Sequence, residues 1–148
     1  MNVILDADGC PVVKIATDVC KRYHVTCTLV CDTAHVFSNS NIPAITVDKG
    51  SNSADFAIAN RVHSGDIVVT QDYGLASMCL AKGASVLHQD GWEYTADNID
   101  ALLWQRHESC NFRNSGGRMK GPKKRQRQQD QAFRAALEKM LQGKMFGG

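Results

Sequence analysis

Two strongly apolar segments of the chain are each followed by aspartate. Residues 3–5 lead directly into Asp6, with Asp8 two positions later, and residues 67–70 lead within two positions to Asp72. Fully apolar runs of this length are typical of strands buried on both faces of a parallel sheet. Ligands bind outside the carboxyl ends of such strands, so we expect Asp6 and Asp72 to approach each other if the strands are neighbours.

A third aspartate, Asp55, lies in the first turn of a helix predicted over residues 53–63. Carboxylates that cluster repel one another unless a cation lies between them, and hard oxygen ligands favour Mg²⁺ or Mn²⁺ over zinc. The alternative is that each aspartate merely caps a turn or a helix. We favour the metal site because several aspartates share this pattern in a chain that also carries a basic segment.

The elements that must position these residues alternate between strand and helix up to residue 107. Apolar residues recur with helical spacing over residues 12–20, and further helices are predicted at 53–63, 75–81 and about 97–107. Strands are predicted at 3–5, 25–31, 42–47, 67–70 and 85–88. The alternation predicts an α/β fold with helices on both faces of a mainly parallel sheet.

Composition places the chain among ordinary globular proteins. It has 148 residues, of which 43% are hydrophobic and 22% charged, as in a single soluble domain. No run approaches the length of a transmembrane helix, and the first residues lack the pattern of a signal peptide. The six cysteines contain no C-x-x-C pair, so we expect reduced thiols and a cytoplasmic location.

Charge is distributed unevenly along the chain. Residues 1–100 hold six Lys and Arg against twelve Asp and Glu, whereas residues 101–148 hold eleven against three. The segment 113–127 contains no acidic residue, and its glycines let backbone N–H groups approach phosphates. We therefore expect it to bind nucleic acid through its seven basic residues: Arg113, Arg118, Lys120, Lys123, Lys124, Arg125 and Arg127.

These patterns divide the chain into three parts. Residues 1–110 form the α/β domain, and residues 111–128 form a basic arm that contains glycine and proline. Residues 129–148 form an amphipathic helix that we expect to pack on the same domain through apolar positions such as Phe133 and Leu137.

Four blocks of the chain resemble the YaiI/YqxD family of small bacterial proteins. They read V-I-L-D-A-D-G-C-P-V, G-S-N-S-A-D, G-D-I-V-V-T-Q-D-Y-G-L-A and S-G-G-R-M-K-G-P-K. That family is usually grouped with PIN-like domains, so the resemblance implies a three-layer α/β/α sandwich and a metal-dependent nuclease.

The resemblance also implies a ligand set. Asp6, Asp55 and Asp72 match, in order, the three acids of PIN-like domains, and a fourth acid is common there. Asp8, Asp32 or Asp48 could supply it. Our interpretation takes Asp6, Asp55 and Asp72 as catalytic, adds Asp8 as a ligand of Mg²⁺ or Mn²⁺, and assigns Thr70 to orienting a ligand or water.

The expected reaction is hydrolysis of a phosphodiester bond, in RNA rather than DNA. A different class of function is a non-catalytic nucleic-acid-binding or regulatory module with a degenerate site. A third alternative is a haloacid-dehalogenase-like phosphatase. The segment I-L-D-A-D-G also resembles the opening motif of that family. Such a phosphatase needs a second pair of acids that lie close together later in the chain. Asp66 and Asp72 are the candidates, but the strand predicted between them would place them at opposite edges of the sheet.

Overall fold

The computed structural model describes residues 1–7, 10–31, 44–46, 53–102, 104 and 124–146. Its strands are β1 (Asn2–Asp6), β2 (Thr26–Cys31), β3 (Ala44–Thr46), β4 (Ile67–Val69), β5 (Ser85–Leu87) and β6 (Glu93–Tyr94). Its helices are α1 (Val13–Arg22), α2 (Ser53–Arg61), α3 (Tyr73–Ala81), α4 (96–102 and 104) and α5 (Arg127–Phe146). No helix in these ranges is long and apolar enough to cross a membrane.

The strands form one sheet in the order β3-β2-β1-β4-β5-β6. The first five strands are parallel, and β6 alone among the described strands runs antiparallel, beside β5. Since β1 and β4 are neighbours with Leu5 opposite Val69, the residues that follow these two strands lie side by side at the carboxyl edge. This confirms the α/β class and the mainly parallel sheet.

Successive residues of each strand point to opposite faces of the sheet, which divides the core in two. Val3 and Leu5 pack with α1 and α5 on one face, whereas Ile4 and Val68 pack with α2, α3 and α4 on the other. Strands covered on both faces must be apolar throughout, which explains the uninterrupted runs in the sequence. The molecule is therefore a three-layer α/β/α sandwich.

The C-terminal helix α5 packs against the sheet and α1. Phe133, Leu137 and Leu141 are fully buried in the core that α1 and β1 share. The helix begins at Arg127, two residues before the predicted boundary, so Arg127 and Gln128 are helical and not part of an extended arm. At this N-terminus the backbone N–H of Gln126 donates to the side-chain Oε1 of Gln129, and the backbone N–H of Gln129 donates to the carbonyl of Gln126.

A short hairpin from His88 to Tyr94 was not predicted. Gly91 makes its turn with φ at +94°, a conformation that glycine adopts readily. A Cβ atom on Gly91 would come within 2.6 Å of the backbone of Ala132, so the turn lies directly against α5. The hairpin thereby brings β6, with Tyr94 in the strand and Trp92 just before it, to the edge of the sheet.

Candidate functional site

A threonine hydroxyl joins the two strand ends that the sequence singled out. Thr70 Oγ1 donates a 3.0 Å hydrogen bond to Asp6 Oδ2, and it accepts a 3.0 Å bond from the backbone N–H of Asp72. Thr70 is 3% exposed, whereas Asp6 and Asp72 are both partly exposed. Asp6 and Asp72 therefore approach each other at one edge of the sheet, as expected, and the hydroxyl of Thr70 links them.

Asp72 also caps helix α3. Its Oδ1 accepts hydrogen bonds from the backbone N–H groups of Gly74, at 2.8 Å, and Leu75, at 3.2 Å. A carboxylate at this position satisfies N–H groups that have no partner within the helix, and it interacts favourably with the helix dipole. Of the two roles that the sequence interpretation set against each other, the structure shows the helix cap.

A narrow crevice opens beside Asp6 at the carboxyl edge. It is lined by Asp6, Cys10, Val69, Thr70, Gln71 and Gln89. Burial raises the pKa of the Cys10 thiol; the backbone N–H of Val12 opposes this, the Asp6 carboxylate adds to it and Arg125 opposes it. Cys10 is therefore a protonated thiol at neutral pH, not an activated nucleophile.

Asp55 lies in the first turn of α2, as predicted, with its side chain partly buried. Its charge acts on Cys79 of α3: burial raises the pKa of that thiol to about 11, Lys82 opposes the rise and Asp55 adds to it. Within the described ranges, no three His, Cys, Asp or Glu side chains form a group that could hold a metal ion. Asp6, Asp55 and Asp72 thus do not assemble into the expected three-ligand cluster, and Asp8, Asp32 and Asp48 lie outside those ranges.

The donor chemistry at this edge nevertheless suits a hard cation. Two carboxylates, the Thr70 hydroxyl and the amide side chains of Gln71 and Gln89 are all oxygen donors. Mg²⁺ commonly binds through only one or two carboxylates and takes its other ligands from water and substrate phosphates. Asp6 and Asp72 would hold such a cation without a third protein carboxylate.

Aromatic side chains form a group next to this edge. The Tyr94 ring is 1% exposed, and its hydroxyl donates a 3.3 Å hydrogen bond to the carbonyl of Thr70. Its centroid lies 6.1 Å from that of Tyr73 and 4.6 Å from that of Trp92. Trp92 in turn stacks on His88 at 4.4 Å with an interplanar angle of 12°. We call Tyr73, His88, Trp92 and Tyr94 the aromatic group.

His88 is held in its neutral form. Its Nδ1 accepts a 3.0 Å hydrogen bond from the backbone N–H of Asp90, which places the ring proton on Nε2. Burial lowers the pKa of His88; the Asp90 carboxylate opposes this and Arg125 adds to it. At neutral pH the residue is thus a flat, uncharged ring.

Arg125 is bound within the protein rather than presented to solvent. Its guanidinium lies 2.8 Å from Asp90 Oδ1 and 2.6 Å from Asp130 Oδ1, and it donates to the carbonyl of Gln89 at 2.8 Å. This ties the start of α5 to the loop after β5. The geometry gives Arg125 a structural role and does not favour the phosphate contact predicted for it.

The other predicted phosphate-binding residues divide into two sets. Lys124 and Arg127 are exposed on either side of Arg125. Arg113, Arg118, Lys120 and Lys123 lie outside the described ranges.

The position of the buried residue Asp66, at the opposite edge of the sheet, counts against the phosphatase alternative. Asp66 accepts hydrogen bonds from the backbone N–H groups of Asn2 and His63, at 3.0 and 2.9 Å. It therefore lies at the amino end of β4, while Asp72 follows the carboxyl end of the same strand. The geometry gives Asp66 a structural role and counts against the paired acids of a haloacid-dehalogenase-like site.

Sequence reasoning missed Cys10, Gln71 and Gln89 as residues that line the crevice. Gln71 lies within the strand-end motif itself, and Gln89 follows β5, the neighbour of β4. Their positions just after parallel strands could therefore have identified both glutamines as residues of this edge. The contacts of Trp92 and Tyr94 within the aromatic group had no such signal, because β6 was not predicted.

Residues 4–143 match the model of the family described as "Uncharacterized BCR, YaiI/YqxD family". The chain is 48% identical over 141 residues to a "UPF0178 protein" of Exiguobacterium sibiricum, covering 95% of this chain and 96% of the relative. It is 41% identical over 143 residues to a "UPF0178 protein" of Clostridium acetobutylicum, covering 95% and 97%. No solved structure matches.

Proposed function

Since this chain belongs to the YaiI/YqxD family, whose relatives carry names that state no activity, we propose a function from its geometry: a metal-dependent phosphodiesterase that cleaves RNA. One observation carries the proposal. Asp6, the last residue of β1, and Asp72, which follows β4, contact the same buried hydroxyl at the carboxyl edge of the sheet, Asp6 through its carboxylate and Asp72 through its backbone N–H. This edge is where parallel α/β sheets bind their ligands.

A divalent cation, when bound here, would supply charge stabilisation for a phosphate and activation of water. The residues of the chain do the positioning. Thr70 fixes the Asp6 carboxylate through its Oγ1–H, and the two helix N–H groups fix the Asp72 carboxylate through Oδ1. Because both carboxylates are held by hydrogen bonds, little rotamer freedom remains to be lost on binding.

Charge supports nucleic acid as the substrate. The segment 113–127 contributes seven basic residues and no acidic residue, and the described members Lys124 and Arg127 are exposed at the start of α5. Phosphate contacts of this kind give affinity with little sequence preference. They would keep a polyanionic strand close to a carboxylate site that would otherwise repel it.

Cleavage of end-labelled single-stranded RNA by the full-length protein tests the proposal. We expect cleavage with Mn²⁺ or Mg²⁺, none with EDTA, and a rate at least about 100-fold lower for Asp6→Asn. Asp18→Asn, which changes an exposed carboxylate on α1, is the matched control and should cleave like the wild type. Equal cleavage by wild type and Asp6→Asn would identify a contaminating nuclease and contradict the proposal.

The same assay separates the second candidate function. A non-catalytic nucleic-acid-binding module, favoured by the basic segment, would bind RNA tightly and leave it intact with every cation tested.

A further inference from the structure

Two members of the aromatic group have surface that the core does not use. Tyr94 is 1% exposed and lies between its neighbours, whereas Tyr73 and Trp92 are only partly buried. An apolar core alone does not require a tryptophan stacked on a neutral histidine at the rim of a sheet. Tyr73 and Trp92 therefore pack against the core and still keep part of their surface open to solvent.

The position of these rings ties them to the carboxylates. Tyr73 directly follows Asp72, and the Tyr94 hydroxyl bonds the carbonyl of the residue whose side chain holds Asp6. A substrate phosphate at Asp6 and Asp72 would therefore have its adjoining nucleotide beside the aromatic group.

Flat aromatic side chains bind unpaired bases by stacking, and every base has a face that can take part. A base within a duplex is stacked on its own neighbours and cannot reach such a surface unless it is extruded. The charge of the C-terminal part, eleven Lys and Arg against three acidic residues, favours a nucleic acid over an apolar peptide as the occupant.

We propose that Tyr73 and Trp92 form a stacking surface for an unpaired base, so that the substrate is single-stranded. This inference rests on the proposed phosphodiesterase function, because it assigns the substrate class of that same site. The preference for single strands over duplexes then comes from the stacking surface, because only an unpaired base has a face free to stack. The basic segment binds single and double strands alike.

Intrinsic fluorescence offers a direct test because the chain contains only two tryptophans, Trp92 and Trp104. In Trp104→Phe, all tryptophan emission comes from Trp92, and the change affects a side chain that is 63% exposed. We expect single-stranded oligouridylate, added in EDTA to prevent cleavage, to quench this emission. Duplex RNA at the same phosphate concentration should leave it unchanged.

Affinity measurements on Tyr73 variants complete the test. Tyr73→Leu should bind the single strand roughly 5- to 150-fold more weakly than the wild type, the range expected for loss of one stacked base. Tyr73→Phe, which keeps the ring, should bind like the wild type. Unchanged duplex affinity in Tyr73→Leu would show that the variant is folded.

The outcomes separate this inference from the function on which it rests. Cleavage by the wild type, with equal quenching by both RNA forms or unaltered binding by Tyr73→Leu, overturns the stacking surface and leaves the phosphodiesterase standing. Selective single-strand quenching without cleavage in Mn²⁺ supports the surface and overturns the phosphodiesterase. Binding to neither RNA form overturns both, and would point to a protein partner for the aromatic group.

Discussion

The hydroxyl of Thr70 donates a 3.0 Å hydrogen bond to the carboxylate of Asp6, a residue 64 positions earlier in the chain. This bond joins the ends of the two central strands, β1 and β4, at the edge where we propose that catalysis occurs. The same oxygen accepts a hydrogen bond from the Asp72 backbone N–H, so one buried side chain holds the Asp6 carboxylate and the backbone that carries Asp72.

Replacing Thr70 by valine preserves shape but removes both bonds. Because the Asp72 N–H and one Asp6 oxygen then lose a buried partner, we expect the free energy of unfolding to fall by about 1–3 kcal/mol. Thr70→Ser keeps the hydroxyl and should lose less than about 1 kcal/mol. Urea denaturation measures both variants. Equal losses in the two would mean that packing of the methyl group, not the hydroxyl, holds this edge together.

Asp72 has two roles that a pair of substitutions separates. Asparagine is as good a helix cap as aspartate, so Asp72→Asn should stay folded and lose only the carboxylate needed for the cation. Asp72→Ala also loses the cap and should be less stable by about 1 kcal/mol. Thermal denaturation and RNA cleavage test the pair together. An Asp72→Asn protein that cleaves RNA at the wild-type rate would remove Asp72 from the site.

Arg125 and Arg127 should behave in opposite ways, although the charge pattern predicts the same role for both. Arg125→Ala leaves Asp90 and Asp130 without their shared cation, so we expect a loss of about 1–2 kcal/mol, allowing for partial solvent screening. Arg127→Ala should leave stability almost unchanged but weaken RNA binding. Denaturation and RNA affinity are measured for each variant. A larger loss of RNA affinity in Arg125→Ala than in Arg127→Ala, at unchanged stability, would show that Arg125 contacts phosphate after all.

The basic segment is tested by its dependence on salt. Replacing Arg118, Lys120, Lys123 and Lys124 by alanine should weaken RNA binding about equally for different sequences. The slope of log affinity against log salt should fall by about 0.7 for each phosphate of a single strand that the variant no longer neutralises. Affinity is measured for both proteins at several salt concentrations. An identical slope and affinity would mean that the uneven charge of the chain serves another purpose.

His88 predicts a pH dependence of stability. Burial lowers its pKa in the folded protein, so below the unfolded value of about 6.5 the unfolded chain binds more protons than the folded one. The free energy of unfolding should therefore decrease as the pH falls below about 6.5 and level off below the folded pKa. His88→Asn, which keeps an acceptor for the Asp90 N–H, should be less stable at neutral pH but lose less on acidification. Urea denaturation near neutral and mildly acidic pH checks this, and an equal decrease in both proteins would contradict it.

The parts of the fold that could be predicted from the sequence are those that short-range patterns of apolar residues determine. Apolar runs and helical spacing identified β1, β4, α1 and the docked α5, because burial on both faces or on one stripe dictates those residues. Thr95 caps α4, its hydroxyl accepting a 3.2 Å hydrogen bond from the backbone N–H of Asn98. The hairpin around Gly91 was missed because β6 has only two residues and the turn before it lies against α5, a contact that no local pattern records.

The candidate site was predictable only in part for a related reason. Strand-end position identified Asp6, Thr70 and Asp72, since neighbouring parallel strands bring such residues to one edge. Side-chain partners are set by tertiary contacts, so the sequence could not show that Arg125 is bound by Asp90 and Asp130. Nor could it show that Asp55 acts on Cys79.

Binding of Mn²⁺ by the full-length protein tests the central claim most directly. Electron paramagnetic resonance of unbound Mn²⁺ gives its affinity for the wild type, for the double variant Asp6→Asn with Asp72→Asn, and for Asp18→Asn as control. We expect saturable binding by the wild type and by Asp18→Asn, and a loss of at least about 100-fold in the double variant. Equal Mn²⁺ affinity in the wild type and a folded double variant would contradict a metal site at the carboxyl ends of β1 and β4.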